Sequence, residues 1–173
     1  KRKSNMNFGP YSFEPSNLDK ILFPGEGYTK KDLIDYYVDA ADYFLPYAKD
    51  RPLAMHRFPD GIDGKDFKQK DVPDYFPDWI DTIEIEREEG DPIRMVLANK
   101  KATLAYLANQ ACITPHLFLS RADALHRPDK LIFDLDPPGD DFAPLKKAAR
   151  ALRDKLSDGY NLQAFVMTTS ARG

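Results

Sequence analysis

One segment limits the choice of fold more than any other. In TKKDLIDYYVDAADYFLPYAKD (residues 29–50), Leu33, Ile34, Tyr37, Val38, Ala41, Phe44 and Leu45 recur at helical spacing. Thr29 with Asp32 three residues later has the form of a capping box, and Pro46 is expected to end the pattern. Such an apolar stripe has to be buried, and the rest of the chain supplies short strand-like runs that could cover it. RPLAMHRFPDGIDGKDF reads as a strand followed by two turn signals, Asp60-Gly61 and Asp63-Gly64. DTIEIERE and IRMVLAN read as strands joined through Gly90 and Pro92, KKATLAYLANQA as a short helix and ITPHLFLS as another strand. KLIFDLD is expected to be a strand covered on both faces because it begins with an apolar run. APLKKAARALRDKLSD predicts an amphipathic helix stopped by Gly159, and LQAFVMTTS a closing strand.

The expected fold class is therefore α/β in the α+β sense, a mixed sheet with helices packed on it. Residues 1–16 are expected to form an irregular N-terminal arm, since Gly9, Pro10 and Pro15 interrupt regular structure. Residues 17–173 are expected to form one domain. Its last residues, ARG, follow directly on a predicted strand, so the domain reads as incomplete at its C-terminal end.

Composition narrows the function classes. The net charge of −3 argues against a nonspecific nucleic-acid coat protein, but an enzyme can combine an acidic metal site with a local basic cleft. No apolar run approaches the length of a membrane span, and KRKSNMNFGP lacks the apolar core of a secretory signal. A single cysteine, Cys112, leaves no internal disulfide framework and fits a reducing, cytoplasmic setting.

Four clusters could carry chemistry. Asp134 and Asp136 in LIFDLDPPGDD stand two apart, so on a strand both carboxylates would share one face. Two such carboxylates repel unless a cation lies between them, and a hard divalent ion fits that role. The motif alone leaves open a plainer account, in which D-x-D before Pro137-Pro138 caps a strand in a solvated turn. Lys30 and Lys31 sit in the first turn of the predicted helix, against the dipole, as they would beside a bound phosphate; two solvated lysines would look the same. HRFPDGIDGKDFKQK interleaves His56, Arg57, Lys68 and Lys70 with Phe58 and Phe67, a composition suited to single-stranded nucleic acid; a buried Phe67 with solvated lysines is the competing account. His116 could be an ordinary core histidine, and TTSARG could form a triphosphate-cradling turn with Arg172.

Taken in order, NLDKILFP, GYTKKDLIDYY, RPLAMHRFPDGIDGKDFKQK, PHLFLSRAD, RPDKLIFDLDP and TTSARG resemble the polymerase domain of bacterial ATP-dependent DNA ligase D and its archaeal relatives. That family lies within the archaeo-eukaryotic primase superfamily. The resemblance runs from about Asn17 to the last residue and implies template-directed nucleotidyl transfer. The reaction would fill gaps or extend 3′ ends at double-strand breaks in non-homologous end joining, with a preference for NTPs over dNTPs. It implies that Asp134 and Asp136 are catalytic and hold two Mn²⁺ or Mg²⁺ ions. Asn17, Lys20 and Lys30 would grip a DNA 5′-phosphate, and Phe67, with Lys68 and Lys70, would contact the template. His116, Thr169, Ser170 and Arg172 would line the incoming nucleotide. The implied partners are broken or gapped DNA, the Ku end-binding protein and a DNA ligase, fused or separate, with no membrane. The implied location is the prokaryotic cytoplasm at the nucleoid.

Several positions depart from the family pattern. Phe67-Lys68 stands where a Phe-Phe pair is frequent, His56 where a lysine is common, and Thr168-Thr169-Ser170 where Thr-Ser-Gly is usual. The histidine that usually follows and a third metal-binding aspartate are absent, so this polypeptide alone is expected to be inactive. Two alternatives from other classes are a DNA-end or 5′-phosphate binding module without catalysis and a metal-dependent DNA-end phosphoesterase.

Overall fold

The architecture is organised around one strand, β5 (Pro52–Arg57), whose first four residues are buried. The computed structural model describes residues 4–137, 139 and 141–167, in two compact units divided after Lys130. In the first unit, β1 (Met6–Phe8) pairs with β2 (Tyr11–Phe13), and β3 (Ile21–Phe23) with β4 (Tyr28–Thr29). Helix α1 (Lys30–Ala48) precedes β5. Strands β6 (Phe67–Gln69), β7 (Thr82–Ile85) and β8 (Ile93–Leu97), helix α2 (Lys101–Asn109) and strand β9 (Cys112–Leu117) follow it. A 3₁₀ turn over Ala122–Ala124 comes next.

β9 runs along one edge of β5, through the pairs Leu53↔Leu117 to Arg57↔Cys112. Since a strand has two edges, β8 and β6 share the other: β8 at Pro52 and Leu53, β6 at Met55 to Arg57. β7 completes the sheet against β8, and every described pairing is antiparallel. Pro115 is tolerated inside β9 because the strand pairs only with β5 among the described residues, which leaves an outer edge that needs no donor.

Helix α1 begins as expected. Thr29 accepts from the Asp32 amide, and Asp32 accepts from the Thr29 amide at 2.7 Å. Leu33, Ile34, Tyr37, Ala41 and Ala48 turn its buried stripe inward. The helix does not stop at Pro46; it continues to Ala48 and closes through Lys49 N–H on the Leu45 carbonyl at 2.9 Å. In the last turn the proline forgoes a single backbone bond, which the packed helix tolerates. α2 is buried from Ala102 to Asn109, and its alanines at 102, 105 and 108 let it approach α1 closely.

The expected irregular arm is instead a hairpin packed on this core. Gly9, at φ +62°, and Pro10 form a two-residue connection, so the residues read as breakers are the turn itself. Phe13 is buried and meets Tyr106 edge-on at 5.3 Å, with Phe8 stacked behind it. Cys112 is fully buried, and burial pushes its thiol up to about 12, which leaves it unreactive at neutral pH.

In the second unit, α3 (Phe142–Tyr160) is capped by Asp141, which accepts from the Ala143 amide at 2.9 Å. It runs past Gly159 and ends at Asn161 in the left-handed conformation. Its stripe is Leu145, Ala149, Leu152 and Leu156, all half-buried. The two strands expected on either side of it do not form among the described residues: 131–137 and 161–167 are irregular. Leu131 and Ile132 are 65% and 64% exposed, against the expectation of a strand covered on both faces. A strand needs a neighbour to satisfy its backbone groups, and neither segment has a ladder partner among the described residues. No helix among them is long and apolar enough to cross a membrane.

Candidate functional site: a cationic cavity beside an exposed aromatic

Lys20 and Lys30 are brought together by the β3–β4 hairpin, in which Ile21 pairs with Thr29, so that both lysines flank one rung. The Lys30 amide donates to the Lys20 carbonyl at 2.8 Å, which fixes the two backbones side by side. Asn17 closes the turn before β3, at φ +52°, a conformation asparagine adopts more readily than most residues; the Lys20 amide donates to its carbonyl at 3.0 Å. These three residues line one cavity of about 230 Å³ together with Ser16, Arg57, Pro59, Asn109, Gln110 and Ala111. Asn109, 4% exposed, holds the rim by accepting from the Ser16 amide at 2.9 Å.

The electrostatics of this cavity are unbalanced. Lys20 is paired with Asp60 at 3.2 Å. Lys30 is 7% exposed, and its ammonium has no hydrogen bond or ion pair among the described residues. Burial, with Lys20 and Arg57 adding repulsion, holds its ammonium below the ordinary lysine range. Among the described residues the Arg57 side chain is bonded only to neutral groups: the Gln110 carbonyl at 2.9 Å, Gln110 Oε1 at 2.9 Å, Gln69 Oε1 at 2.7 Å and the Tyr75 hydroxyl at 3.0 Å. A lysine ammonium at the wall of this cavity, partly desolvated and next to two other cations, is an arrangement that an anion would relieve.

Part of the sequence-based expectation needs correction. A phosphate bound beside Lys30 and Lys31 at the helix N-terminus would need free backbone amides there, yet the first turn is already satisfied. The amides of Lys30, Lys31 and Asp32 donate to Lys20 O, Leu18 O and Thr29 Oγ1. The positive charge that faces the cavity therefore comes from side chains. Lys31 does not join it; it is exposed and pairs with Asp35 along the helix.

Phe67 and Lys68 lie on β6 rather than on a loop, and strand alternation sends them to opposite faces. Phe67 pairs with Arg57, is 44% exposed, and has the Arg57 guanidinium carbon 5.3 Å from its ring centroid. Lys68 pairs with His56, which bonds Asp66 and lies 5.7 Å, ring to ring, from His116. Burial, then the charge of Lys68, then His56 hold His116 below the usual histidine value, so its imidazole is neutral at neutral pH. Lys70 lies just past the end of β6. Gln110, Asn109, Tyr75 and Asp66 did not stand out in the sequence; Arg57 was grouped with the basic cluster, but only the β5–β6 register exposes it as the partner of Phe67.

Asp134 and Asp136 lie in the irregular segment of the second unit, both exposed. Their oxygen donors suit a hard divalent cation, but among the described residues no further His, Cys, Asp or Glu groups with them to complete a metal set. Thr169, Ser170 and Arg172 lie outside the described residues.

With this geometry in place, the kinship of the chain is informative. Residues 29–173 match the family described as "LigD, primase-polymerase domain". The chain belongs to that family. It is 31% identical over 159 residues to the bifunctional non-homologous end joining protein LigD of Bacillus subtilis, covering 91% of this chain and 25% of that protein. It is also 31% identical over 167 residues to the multifunctional non-homologous end joining DNA repair protein LigD of Mycobacterium tuberculosis, covering 91% and 22%. The chain thus spans about a quarter of the length of these LigD relatives. Among solved structures, the polymerase domain of M. tuberculosis Ligase D in complex with DNA superposes with a TM-score of 0.81 at 31% identity, covering 92% of this chain and 58% of that one. The α+β architecture of this LigD primase-polymerase chain is accordingly that of a domain whose relative has been seen on DNA.

Proposed function

We propose that the protein of which this chain is part performs template-directed nucleotidyl transfer at DNA gaps and broken ends, and that the cavity of Asn17, Lys20, Lys30 and Arg57 binds the 5′-phosphate of the downstream strand. The observation that carries this is Lys30: a lysine 7% exposed whose ammonium has no partner among the described residues and which lines a cavity large enough for a phosphate. Exposed Phe67 beside it offers a ring on which a template base can stack, and family membership supports the polymerase class.

In the reaction, a primer 3′-hydroxyl oxygen attacks the α-phosphorus of an NTP. A new P–O bond forms, the bond to the β-phosphate oxygen breaks, pyrophosphate leaves and the hydroxyl proton is lost. Asp134 and Asp136 would hold two Mn²⁺ or Mg²⁺ ions, which when bound neutralise phosphate charge and acidify the attacking hydroxyl. His116, neutral and exposed, would hydrogen-bond the nucleotide, with Thr169, Ser170 and Arg172 as further nucleotide-binding groups. Ku and a ligase, fused or separate, are the proposed partners, at the prokaryotic nucleoid.

The test is binding of the full-length protein to gapped duplexes ending in a 5′-phosphate or a 5′-hydroxyl. Lys30→Met should remove most of a preference of roughly 10- to 100-fold, the range for one strong charge-assisted hydrogen bond. The same change should raise stability by about 1 kcal/mol, roughly 2–4 °C, because it removes a desolvated cation from a helix N-terminus. The sign with pH is fixed as well. The phosphate dianion forms above about pH 6, and binding favours protonated Lys30. The preference should therefore rise through pH 6, and fall at alkaline pH sooner than the ordinary lysine value of 10.5 would give. Equal affinity for both ends, in wild type and variant alike, would refute phosphate recognition. A DNA-end binding module is the second reading, favoured by a cationic cavity that is formed while Asp134 and Asp136 lack a third ligand among the described residues.

A further inference from the structure

We propose that Arg57 is a positioning residue that couples occupancy of the phosphate cavity to the orientation of Phe67, so that a 5′-phosphorylated end sets the template-stacking platform. This rests on the cavity being a phosphate site.

The same guanidinium belongs to both places. It lines the cavity with Lys20 and Lys30, and its central carbon sits over the Phe67 ring. Its donors are divided in a way that transmits position. Nε is tied to the Gln110 carbonyl, and one Nη2 hydrogen to Gln110 Oε1, both at the end of α2. Both Nη1 hydrogens are spent, on Gln69 of β6 and on Tyr75. The remaining Nη2 hydrogen has no partner among the described residues, and no carboxylate pairs with the guanidinium there. A dianion in the cavity would draw that side of Arg57 and relieve its repulsion with Lys30. Gln69 lies two residues from Phe67 on the short strand β6, so a shift of the guanidinium acts on the ring directly, through the cation–π contact, and through β6. Without the phosphate, Phe67 is held by an arginine repelled by two lysines; with it, by an arginine anchored on both sides.

The experiment uses the full-length protein and gapped duplexes carrying 2-aminopurine at the template base facing the gap, with a 5′-phosphate or a 5′-hydroxyl on the downstream strand. Affinity and 2-aminopurine quenching are read at saturation. Wild type is expected to quench about two- to fivefold more with the phosphorylated end, the size of an exposed cation–π interaction. Arg57→Lys, which keeps the charge but loses the fork and the planar stack, should bring the two quenching values together. If that variant does not fold by circular dichroism, Gln69→Leu, which removes the hydrogen-bonded link from Arg57 to β6 and leaves the cation–π contact, should reduce the quenching difference. Tighter binding of the phosphorylated end with equal quenching would overturn the coupling and leave the phosphate site standing. Persistence of the full quenching difference in Arg57→Lys, or in Gln69→Leu where that is used, would also overturn it. No preference for the phosphorylated end in affinity would overturn the phosphate site, and the coupling with it.

Discussion

Asp134→Asn should lower Mn²⁺-dependent nucleotide addition by the full-length protein by roughly 10³-fold, and Asp136→Asn by a similar factor. Each substitution keeps the side-chain shape and removes one anionic ligand from a pair. A metal ion contributes several kcal/mol of charge stabilisation to phosphoryl transfer, and each 1.36 kcal/mol is about tenfold in rate. The variants should fold as wild type does, because both carboxylates are exposed and neither has a hydrogen bond or ion pair among the described residues. Discrimination between 5′-phosphate and 5′-hydroxyl ends should survive, because every residue lining that cavity belongs to the first unit. Single-turnover addition and equilibrium binding, measured on the same duplexes, separate the two properties. Addition at near wild-type rate in both variants would remove these carboxylates from the chemistry.

The largest stability effect is expected at Arg51. It is 1% exposed, although it is an arginine, and its donors tie the end of α1 to the chain beyond β9. Nε donates to the Tyr47 carbonyl at 3.1 Å, Nη1 to the Leu119 carbonyl at 2.9 Å, and Nη2 to Asp129 at 2.7 Å. Arg51→Ala leaves those part-buried carbonyls without their donor and a cavity the size of the side chain. The expected loss is about 3 kcal/mol, at the low end for a broken buried pair because Asp129 is half-exposed. That corresponds to roughly 6–12 °C in thermal unfolding for a chain of this length. Arg51→Lys should recover only part, since an ammonium cannot serve three acceptors in a planar fork. The Arg51 hydrogen bond holds the Asp129 carboxyl below the usual aspartate range. Its contribution is present above the ordinary aspartate value of 3.8 and is lost as the pH falls through the lowered folded value. The gap between wild type and Arg51→Ala should therefore narrow in strong acid.

What the sequence disclosed, and what it hid, follows from how local each signal is. The capping box at Thr29 and the stripe of α1 are written within a few turns of chain, and both formed as read. Gly9-Pro10 is equally local but ambiguous: the same residues break a helix and make a two-residue hairpin turn, and only the burial of Phe13 distinguishes the two. Asn17, Lys20 and Lys30 could be named from resemblance, but their convergence depends on the Ile21↔Thr29 pairing, which two short strands do not announce. Lys68 and Phe67 were grouped because they are neighbours in sequence, and separated because they are neighbours on a strand. Arg57 was named in the same cluster, but its place opposite Phe67 was hidden for the converse reason: it depends on the β5–β6 register across two Asp-Gly turns. The apolar starts of 131–137 and 161–167 gave a correct sense of hydrophobicity but not of pairing, since a strand is completed by its neighbour.

The central claim is that a phosphate-binding cavity and a nucleotidyl-transfer centre serve one gap-filling reaction. The most direct measurement is Mn²⁺-dependent incorporation of NTP by the full-length protein on a short gap, with the downstream end either phosphorylated or not. Templated addition that is roughly 10- to 100-fold more efficient on the phosphorylated gap is the predicted result. Addition of equal efficiency on both ends, or loss of nucleotides from the primer instead of gain, would contradict it.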